Sequence, residues 1–503
     1  MELNNRTMKD IPSHVEPFGF DRSKVTPGIM HFGVGQFCRG HLMLFVRDIL
    51  RLSAKEGGRY NDWGVVGVNV PAGPREKQME VDFKKQDCLY TFTTLSTEGE
   101  AKHYLMGSML DYMYAPEEQA KVLRMLKDPR IKIISLTITE GGYNIDEKKG
   151  VFDLKNRDVQ HDICNPQAPK TVFGYIVEGL RRRREAGVPP FTIMSCDNLR
   201  HNGEVAKKAV LGYAKAVNPE LAAWIKANVK FPNSMVDRIT PATTPDKREE
   251  LNKMTGIADR EPVVGEDFYQ WVIEDKFNNG VRPPWDRVGV TFSTDVPGYE
   301  NAKVRILNSS HILLSFPALL LGMTYIHEGM CDPDIYRLVN EALEKNVLPT
   351  LRVPDGVDIV QYKDKILSRF KNAGIGDQLL RVAGDGCSKV QVFWTENVTA
   401  VLRKRMDPSL FAFGIAAYLE MLRGKDEKGN EIPIFEPTLP KGYEKLVRSS
   451  DLAAALQLPA FDSWRSMDHA QLDRDVVMFR QIIRKRGVRA AMPWRVKKHK
   501  AHM

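Results

Sequence analysis

The segment from residue 28 to residue 52, GIMHFGVGQFCRGHLMLFVRDILRL, constrains this chain more than any other stretch. Residues 29–32 predict a short buried strand and Gly33-Val34-Gly35 a tight turn. Residues 41–52 predict a helix with apolar Leu42, Leu44, Phe45, Ile49 and Leu50. A strand that feeds a helix through glycines opens a doubly wound α/β sheet. The first glycine makes the bend, and the second lets backbone N–H groups approach a phosphate at the helix N-terminus. Cys38 stands where the usual G-x-G-x-x-G pattern has its third glycine, so the motif alone fits a plain strand-to-helix turn equally well. Arg39 and His41 favour the phosphate reading, because a cation beside the turn adds charge to anion binding.

Further strand-length apolar runs follow at 63–70, 131–139, 191–195 and 288–293. In an open parallel sheet, ligands gather beyond the carboxyl ends of strands, where Glu140-Gly-Gly-Tyr143 and Cys196-Asp-Asn-Leu199 stand here. From residue 303 onward the pattern turns helical, with long stretches at 306–323 and 334–348. A chain of 503 residues exceeds what one core usually supports. The expected architecture is an expanded Rossmann domain over 1–296, a doubly wound and mainly parallel sheet. A mainly α-helical substrate and catalytic domain over 297–503 follows it, with the site in the cleft between them.

Dinucleotide folds that prefer NAD place an acid at the end of the second strand to bind the ribose hydroxyls. Residues 69–77 read NVPAGPREK, with the expected acid missing right after the strand, and Arg75 and Lys77 suit a 2′-phosphate instead. NAD and NADP both stay open.

The formal net charge is +9, but much of the excess lies in RKRGVRA and WRVKKHK near the C-terminus, where Trp494 is the lone aromatic. A nucleic-acid surface interleaves stacking aromatics with its charge, so a solvated basic tail is expected and no nucleic-acid partner. Six cysteines without a C-x-x-C pair argue against a disulfide framework and against zinc, and no metal is expected. No run approaches the roughly 20 apolar residues that span a bilayer. The polar start at 1–10 lacks a secretory signal, which predicts a cytoplasmic protein without a membrane partner. Ala501-His502-Met503 resembles a variant of the Ser-Lys-Leu address of peroxisome-related, glycosome-like organelles, and an ordinary frayed terminus fits it equally.

The second half opens with Lys303-Val-Arg-Ile-Leu-Asn308-Ser-Ser-His311. At roughly 100° per residue an α-helix sets His311 about 80° and Asn308 about 140° from Lys303, fanning three polar groups across one side. The apolar surroundings Val304, Ile306, Leu307, Ile312, Leu313 and Leu314 lower a lysine pKa towards neutrality, as a base for an alcohol requires. Spacing alone leaves a second reading, with Lys303 an exposed helix-start residue and His311 a satisfied core histidine.

GVGQFCRGH from Gly33, SLTITEGGYN from Ser135, SCDNLRHNG from Ser195, FPNSMVDRITP from Phe231, QWVIED from Gln270 and the Lys303-x4-Asn308-x2-His311 pattern occur in colinear order. Together they resemble the polyol-specific long-chain dehydrogenase/reductase family, of the mannitol 2-dehydrogenase type. The resemblance implies Lys303 as general base, Asn198 and Asn308 as donors to the reacting oxygen, and His311 as a partner of the substrate hydroxyls. It further implies Glu140 as a proton relay to water, with Asp237, Arg381 and Lys389 on the substrate chain. Cofactor contacts are expected at Gly33, Gly35, Phe37, Arg39 and Arg75. The expected reaction is NAD(P)-dependent oxidation of a linear polyol to a ketose, D-mannitol to D-fructose first, by a monomer or small homo-oligomer. Alternatives are a hexuronate (fructuronate or tagaturonate) reductase, a D-arabinitol dehydrogenase, or a catalytically inactive nucleotide-binding protein.

Overall fold

A computed structural model describes residues 1–146 and 150–500. The tripeptide at 501–503 lies outside the described residues. The chain divides into two compact units, one of Met1–Ser96 with Glu100–Pro297, the other of Thr97–Gly99 with Gly298–Met503.

The first unit is built on five parallel strands, β1 Pro27–Phe32, β2 Gly64–Asn69, β3 Met109–Tyr114, β4 Ile133–Leu136 and β5 Thr192–Ser195. Their spatial order is β3-β2-β1-β4-β5. This is the order of a Rossmann-type sheet, whose chain reverses direction across the sheet beside β1. β2 is buried at every residue and β1 at all but Pro27, as strands covered on both faces must be. The sequence pattern passes over β3, an edge strand that leaves Leu110 and Asp111 half-exposed and so lacks a continuous apolar run. A smaller sheet joins β6 Ser234–Asp237, β7 Gln270–Ile273 and β8 Thr291–Phe292. β8 is shorter than the strand expected at 288–293, because a 3₁₀ turn, Trp285–Val288, ends at Gly289 with φ +100° and takes up the start of that run.

The expected helix at 41–52 begins earlier and in two pieces, α1 Gln36–Gly40 and α2 Leu42–Lys55. The break falls at His41, with φ −121° and ψ −79°. Gly40 just before it packs so tightly that a Cβ there lies 2.9 Å from Thr240 Cγ2. After β2 comes α3, Pro74–Lys85.

The second unit is mainly helical. α4 Val296–Lys303 runs into a π-turn, Val304–Asn308, and that turn into α5 Ser309–Leu320, where one α-helix is expected from 306 to 323. Every residue of α5 is buried, Pro317 included, and the helix packs against another wholly buried helix, Ser409–Met421. A helix without a polar face must lie at the centre of its unit. The stretch expected at 334–348 likewise forms an α-helix, Pro333–Ala342, that widens into a second π-turn, Leu343–Val347. Among the described residues no helix is long and apolar enough to cross a membrane.

Candidate active site

In the first unit, candidate residues cluster at the carboxyl ends of the strands. Gly33 follows β1 at φ +93°, in the left-handed region that glycine tolerates best. A Cβ there would sit 2.0 Å from the Thr137 carbonyl oxygen, so no other residue fits. Asn69, the last residue of β2, accepts from Val34 N–H at 2.6 Å and donates to Val34 O at 3.3 Å, clamping the turn. Beneath it His31 bridges Ser135 Oγ at 2.8 Å and Thr137 Oγ1 at 2.9 Å, and Thr137 donates to Gly33 O at 2.7 Å. Burial pushes the His31 imidazole down to about 4, against a weaker opposite pull from the Gly33 carbonyl. Gly35 is exposed, and the nearest atom to a Cβ placed on it is Gly33 O at 4.0 Å, which leaves open space beside the turn. Phe37 is half-buried with its ring stacked on His41 at 4.8 Å.

Arg39, expected as a cation beside the turn, stands there buried rather than open to solvent. Its side chain is only 1% exposed, donates to Gly35 O at 3.2 Å and to Glu261 O at 2.6 Å, and lies over the Phe83 and Tyr90 rings. The open cation is Arg75, at the second position of α3, which grips the buried Glu261 carboxylate with two bonds of 2.5 and 2.6 Å and keeps 54% of its side chain exposed. Glu261 therefore faces two guanidiniums, and the trio carries a net positive charge. Lys77, the other cation expected near a 2′-phosphate, is paired with Glu80 and Glu117.

Glu140 is exposed in a short 3₁₀ turn, Glu140–Tyr143, entered through Thr139 at φ +62°. A β-branched residue in that region is strained and persists only when neighbours hold it. Asp197 does so, accepting from the N–H groups of Ile138 at 3.0 Å and Thr139 at 2.9 Å and from the Tyr143 hydroxyl at 2.7 Å. The next residue, Asn198, is exposed. Asn202 pins this turn to the neighbouring strand, donating to Asp197 O at 3.0 Å and Ser234 O at 2.8 Å. Asp237, the last residue of β6 and three residues after Ser234, is buried at 4% exposure. Glu140, Asn198 and Asp237 thus stand on three segments that Asp197 and Asn202 tie together.

In the second unit Lys303 is the last residue of α4 and is 8% exposed, which removes the reading of a solvated helix-start lysine. The π-turn corrects the fan expected from α-helical geometry. With i→i+5 hydrogen bonds the turn holds more residues than an α-helical one, which moves Asn308 round towards the side of Lys303. Arg305 and Asn397 brace the turn: Arg305 Nε donates to Asn397 Oδ1 at 2.8 Å, and the Asn397 amide returns bonds to Arg305 O at 3.1 Å and Ser309 Oγ at 2.9 Å. Asn308 Oδ1 is buried with no hydrogen-bond partner among the described residues. A buried polar atom without a partner calls for an explanation, of which a functional role is one.

His311 lies one turn further, stacked on Phe370 at 4.7 Å, with Nε2 3.4 Å from Asp377 Oδ2. Asp377 takes the Arg381 guanidinium in a fork of two 2.7 Å bonds. Lys389 donates to the carbonyls of Arg381 at 3.1 Å and Val382 at 2.8 Å. Burial alone raises the Asp377 pKa, yet His311 and Arg381 hold the carboxyl well below its usual range. Burial lowers the pKa of His311, and burial together with the Arg381 charge lowers that of Lys389.

A family model described as mannitol dehydrogenase Rossmann domain matches residues 27–287, and one described as mannitol dehydrogenase C-terminal domain matches residues 295–469. The chain belongs to the mannitol dehydrogenase family. A polyol:NADP oxidoreductase of Gluconobacter oxydans is 48% identical over 98% of this chain and all of its own length. Among solved structures, a D-sorbitol dehydrogenase in substrate-free form shares 47% identity with a TM-score of 0.92, covering 98% of this chain and 100% of that one. The mannitol 2-dehydrogenase of Pseudomonas fluorescens, solved as a ternary complex with NAD and D-mannitol, shares 35% identity with a TM-score of 0.86 over 99% and 100% of the two chains. This member of the mannitol dehydrogenase family is a polyol dehydrogenase acting on a CH–OH group with NAD(P).

Sequence reasoning passes over four residues that organise the candidate site. Asp377 stands four residues before Arg381, an ion-pair spacing on a helix, and that spacing was the one signal available for it. Glu261, Asp197 and Asn397 carry no comparable local sign, since their partners are distant in sequence.

Proposed function

We propose that this dehydrogenase oxidises a secondary hydroxyl of a linear polyol to a ketose, reversibly, with Lys303 as general base and D-mannitol to D-fructose as the leading pair. The observation that carries the reading is a buried lysine directly before a π-turn that ends on the half-buried Asn308, whose Oδ1 is buried without a partner among the described residues. Burial of an amine favours its uncharged form, which accepts the carbinol proton. Bound NAD or NADP supplies the hydride acceptor. Asn198 and Asn308 donate amide N–H groups to the oxygen as it gains alkoxide character, stabilising charge that is largest in the transition state. His311 bonds a neighbouring hydroxyl, Asp237, Arg381 and Lys389 hold the chain, and Glu140 passes the proton to water.

Two features support a neutral polyol over a uronate. The Arg381 fork, the natural partner of a terminal carboxylate, is already occupied by Asp377. The full-length relatives at 48% and 47% identity are described as polyol and sorbitol dehydrogenases, while a D-mannonate oxidoreductase of Escherichia coli is 38% identical over 85% of this chain; oxidation of D-sorbitol or D-mannitol at C2 gives the same ketose, D-fructose. The coenzyme we infer is NADP. No acid stands directly after β2, Asn69 is engaged with the glycine turn, the half-exposed Arg75 lies just beyond, and the Gluconobacter relative is an NADP enzyme by description.

Rates of fructose reduction with NADPH and NADH, beside rates on mannitol, sorbitol, arabinitol and fructuronate, test the substrate. Fastest turnover on the uronate overturns it. For the base, Lys303→Ala is expected to lower kcat by about 10³-fold or more while nucleotide affinity stays within a few-fold. An unchanged kcat removes Lys303 from the mechanism.

A further inference from the structure

We propose that Asp377 is a positioning residue for the polyol reaction, one buried carboxylate that orients both His311 and Arg381. The inference rests on the reading that those two side chains bind the substrate.

The geometry is local to the second unit. Helix α6, Ile359–Phe370, supplies Phe370, whose ring lies flat against the His311 imidazole with an interplanar angle of 17°. Phe370 thereby fixes the plane of the ring but leaves open which nitrogen carries the proton. Asp377 is the carboxylate that faces it, and an ionised carboxylate is an acceptor only. Its Oδ2 lies 3.4 Å from Nε2, a buried nitrogen that makes no hydrogen bond among the described residues, so the Nε2–H tautomer is the one that carboxylate attracts, with the Nδ1 lone pair left for a hydroxyl. The distance is longer than a good hydrogen bond, so this is an orienting attraction that tightens with a small ring movement.

The same carboxylate holds Arg381 in the middle of α7, Leu379–Ala383, through Nε and one terminal nitrogen at 2.7 Å each. A forked pair fixes a planar guanidinium in direction as well as position. The other terminal nitrogen is left to reach outward, and 59% of the Arg381 side chain is exposed. Asp377 itself does not move easily. It is 6% exposed, and its own carbonyl accepts from Ile326 N–H at 2.9 Å. The backbone before it turns at Gly376, φ +61°, which sets the carboxylate under both partners.

A carboxylate that only stabilised the fold would not separate substrate affinity from turnover, whereas a positioning group should. Asp377→Asn keeps the shape but loses the charge and one acceptor, and it is expected to raise KM for the polyol by about 10-fold or more, the worth of one charge-assisted bond. KM for the nucleotide should stay within about twofold and kcat should fall less than KM rises. Asp377→Glu, which restores the charge, should recover part of the affinity. The controls His311→Ala and Arg381→Ala separate the two layers of inference. If both raise polyol KM but Asp377→Asn leaves it unchanged, the substrate-binding reading stands and the positioning role of Asp377 is overturned. If neither control changes polyol KM, the reading itself falls and Asp377 has nothing to position. Should Asp377→Asn not fold, Asp377→Ser decides, since it too removes the carboxylate while leaving His311 and Arg381 in place. The same rise in polyol KM supports the proposal, and an unchanged KM overturns it.

Discussion

The two turns that carry the candidate chemistry leave regular structure in opposite ways. At Gly33 the chain ends a strand and takes φ +93°, a conformation written into the sequence by residue type. At 304–308 the chain stays helical and widens by one residue per turn, a conformation in which every residue is ordinary. The first turn is clamped from close by, by Asn69 and by the His31-Thr137 pair; the second is braced by Asn397, 92 residues from Arg305. An opening made by glycine is thus specified locally, whereas an opening made by a π-turn depends on tertiary partners. Each has one consequence for function. On the proposed reading, the glycine turn makes room for a backbone to approach phosphate, and the π-turn changes which side chains share a face.

The sharpest way to break this comparison is at Asn308. If the π-turn exists to bring an amide to the side of Lys303, then Asn308→Ala should lower kcat by about 10²–10³-fold, the cost of removing one donor to a developing oxyanion. Nucleotide affinity and melting temperature should barely change, because the lost Oδ1 has no partner to miss among the described residues. A variant with near-normal kcat and a depressed melting temperature would reverse the assignment and make Asn308 structural.

On the glycine side the corresponding lever is pH. The His31 pKa is about 4 in the folded protein, against about 6.5 for an unperturbed histidine, so as pH falls below about 6.5 the unfolded chain gains a proton that the folded chain refuses. Stability from this residue is present in full above that pH and declines as pH falls towards 4, by about 3 kcal/mol in all. Denaturant unfolding of the wild type and His31→Gln between pH 7 and pH 4 measures it. The wild type should lose the extra stability and the variant should not. Parallel slopes for the two proteins would mean that His31 is protonated in the fold.

What was legible in the sequence follows the same division. The strand-turn-helix at 28–52 could be read because an apolar run meets a glycine pair, and the helical character of the second half because apolar residues recur at helical spacing. The π-turn could not be, since Val304-Arg-Ile-Leu satisfies a 3.6-residue repeat as well as a wider one. β3 was missed because an edge strand with Leu110 and Asp111 half-exposed has no clean alternation. Arg39 was misread for a related reason. A cation beside a phosphate turn and a cation buried under it have the same sequence, and only Glu261, 222 residues away, separates them.

Arg75 offers the smallest and most discriminating effect. Glu261 already satisfies two of its donors, but Arg39 shares that carboxylate, so part of the Arg75 charge remains available at the end of β2. Removing it should matter to a 2′-phosphate and to little else. Arg75→Ala is expected to raise KM for NADPH by about 10-fold, near 1.4 kcal/mol, while KM for NADH moves by no more than about twofold. Higher salt should shrink the wild-type advantage for NADPH, since half-exposed charges are screened. Equal losses for the two coenzymes would show that Arg75 serves the shape of α3 rather than the phosphate, and the anion specificity of this turn would then have to come from backbone N–H groups alone.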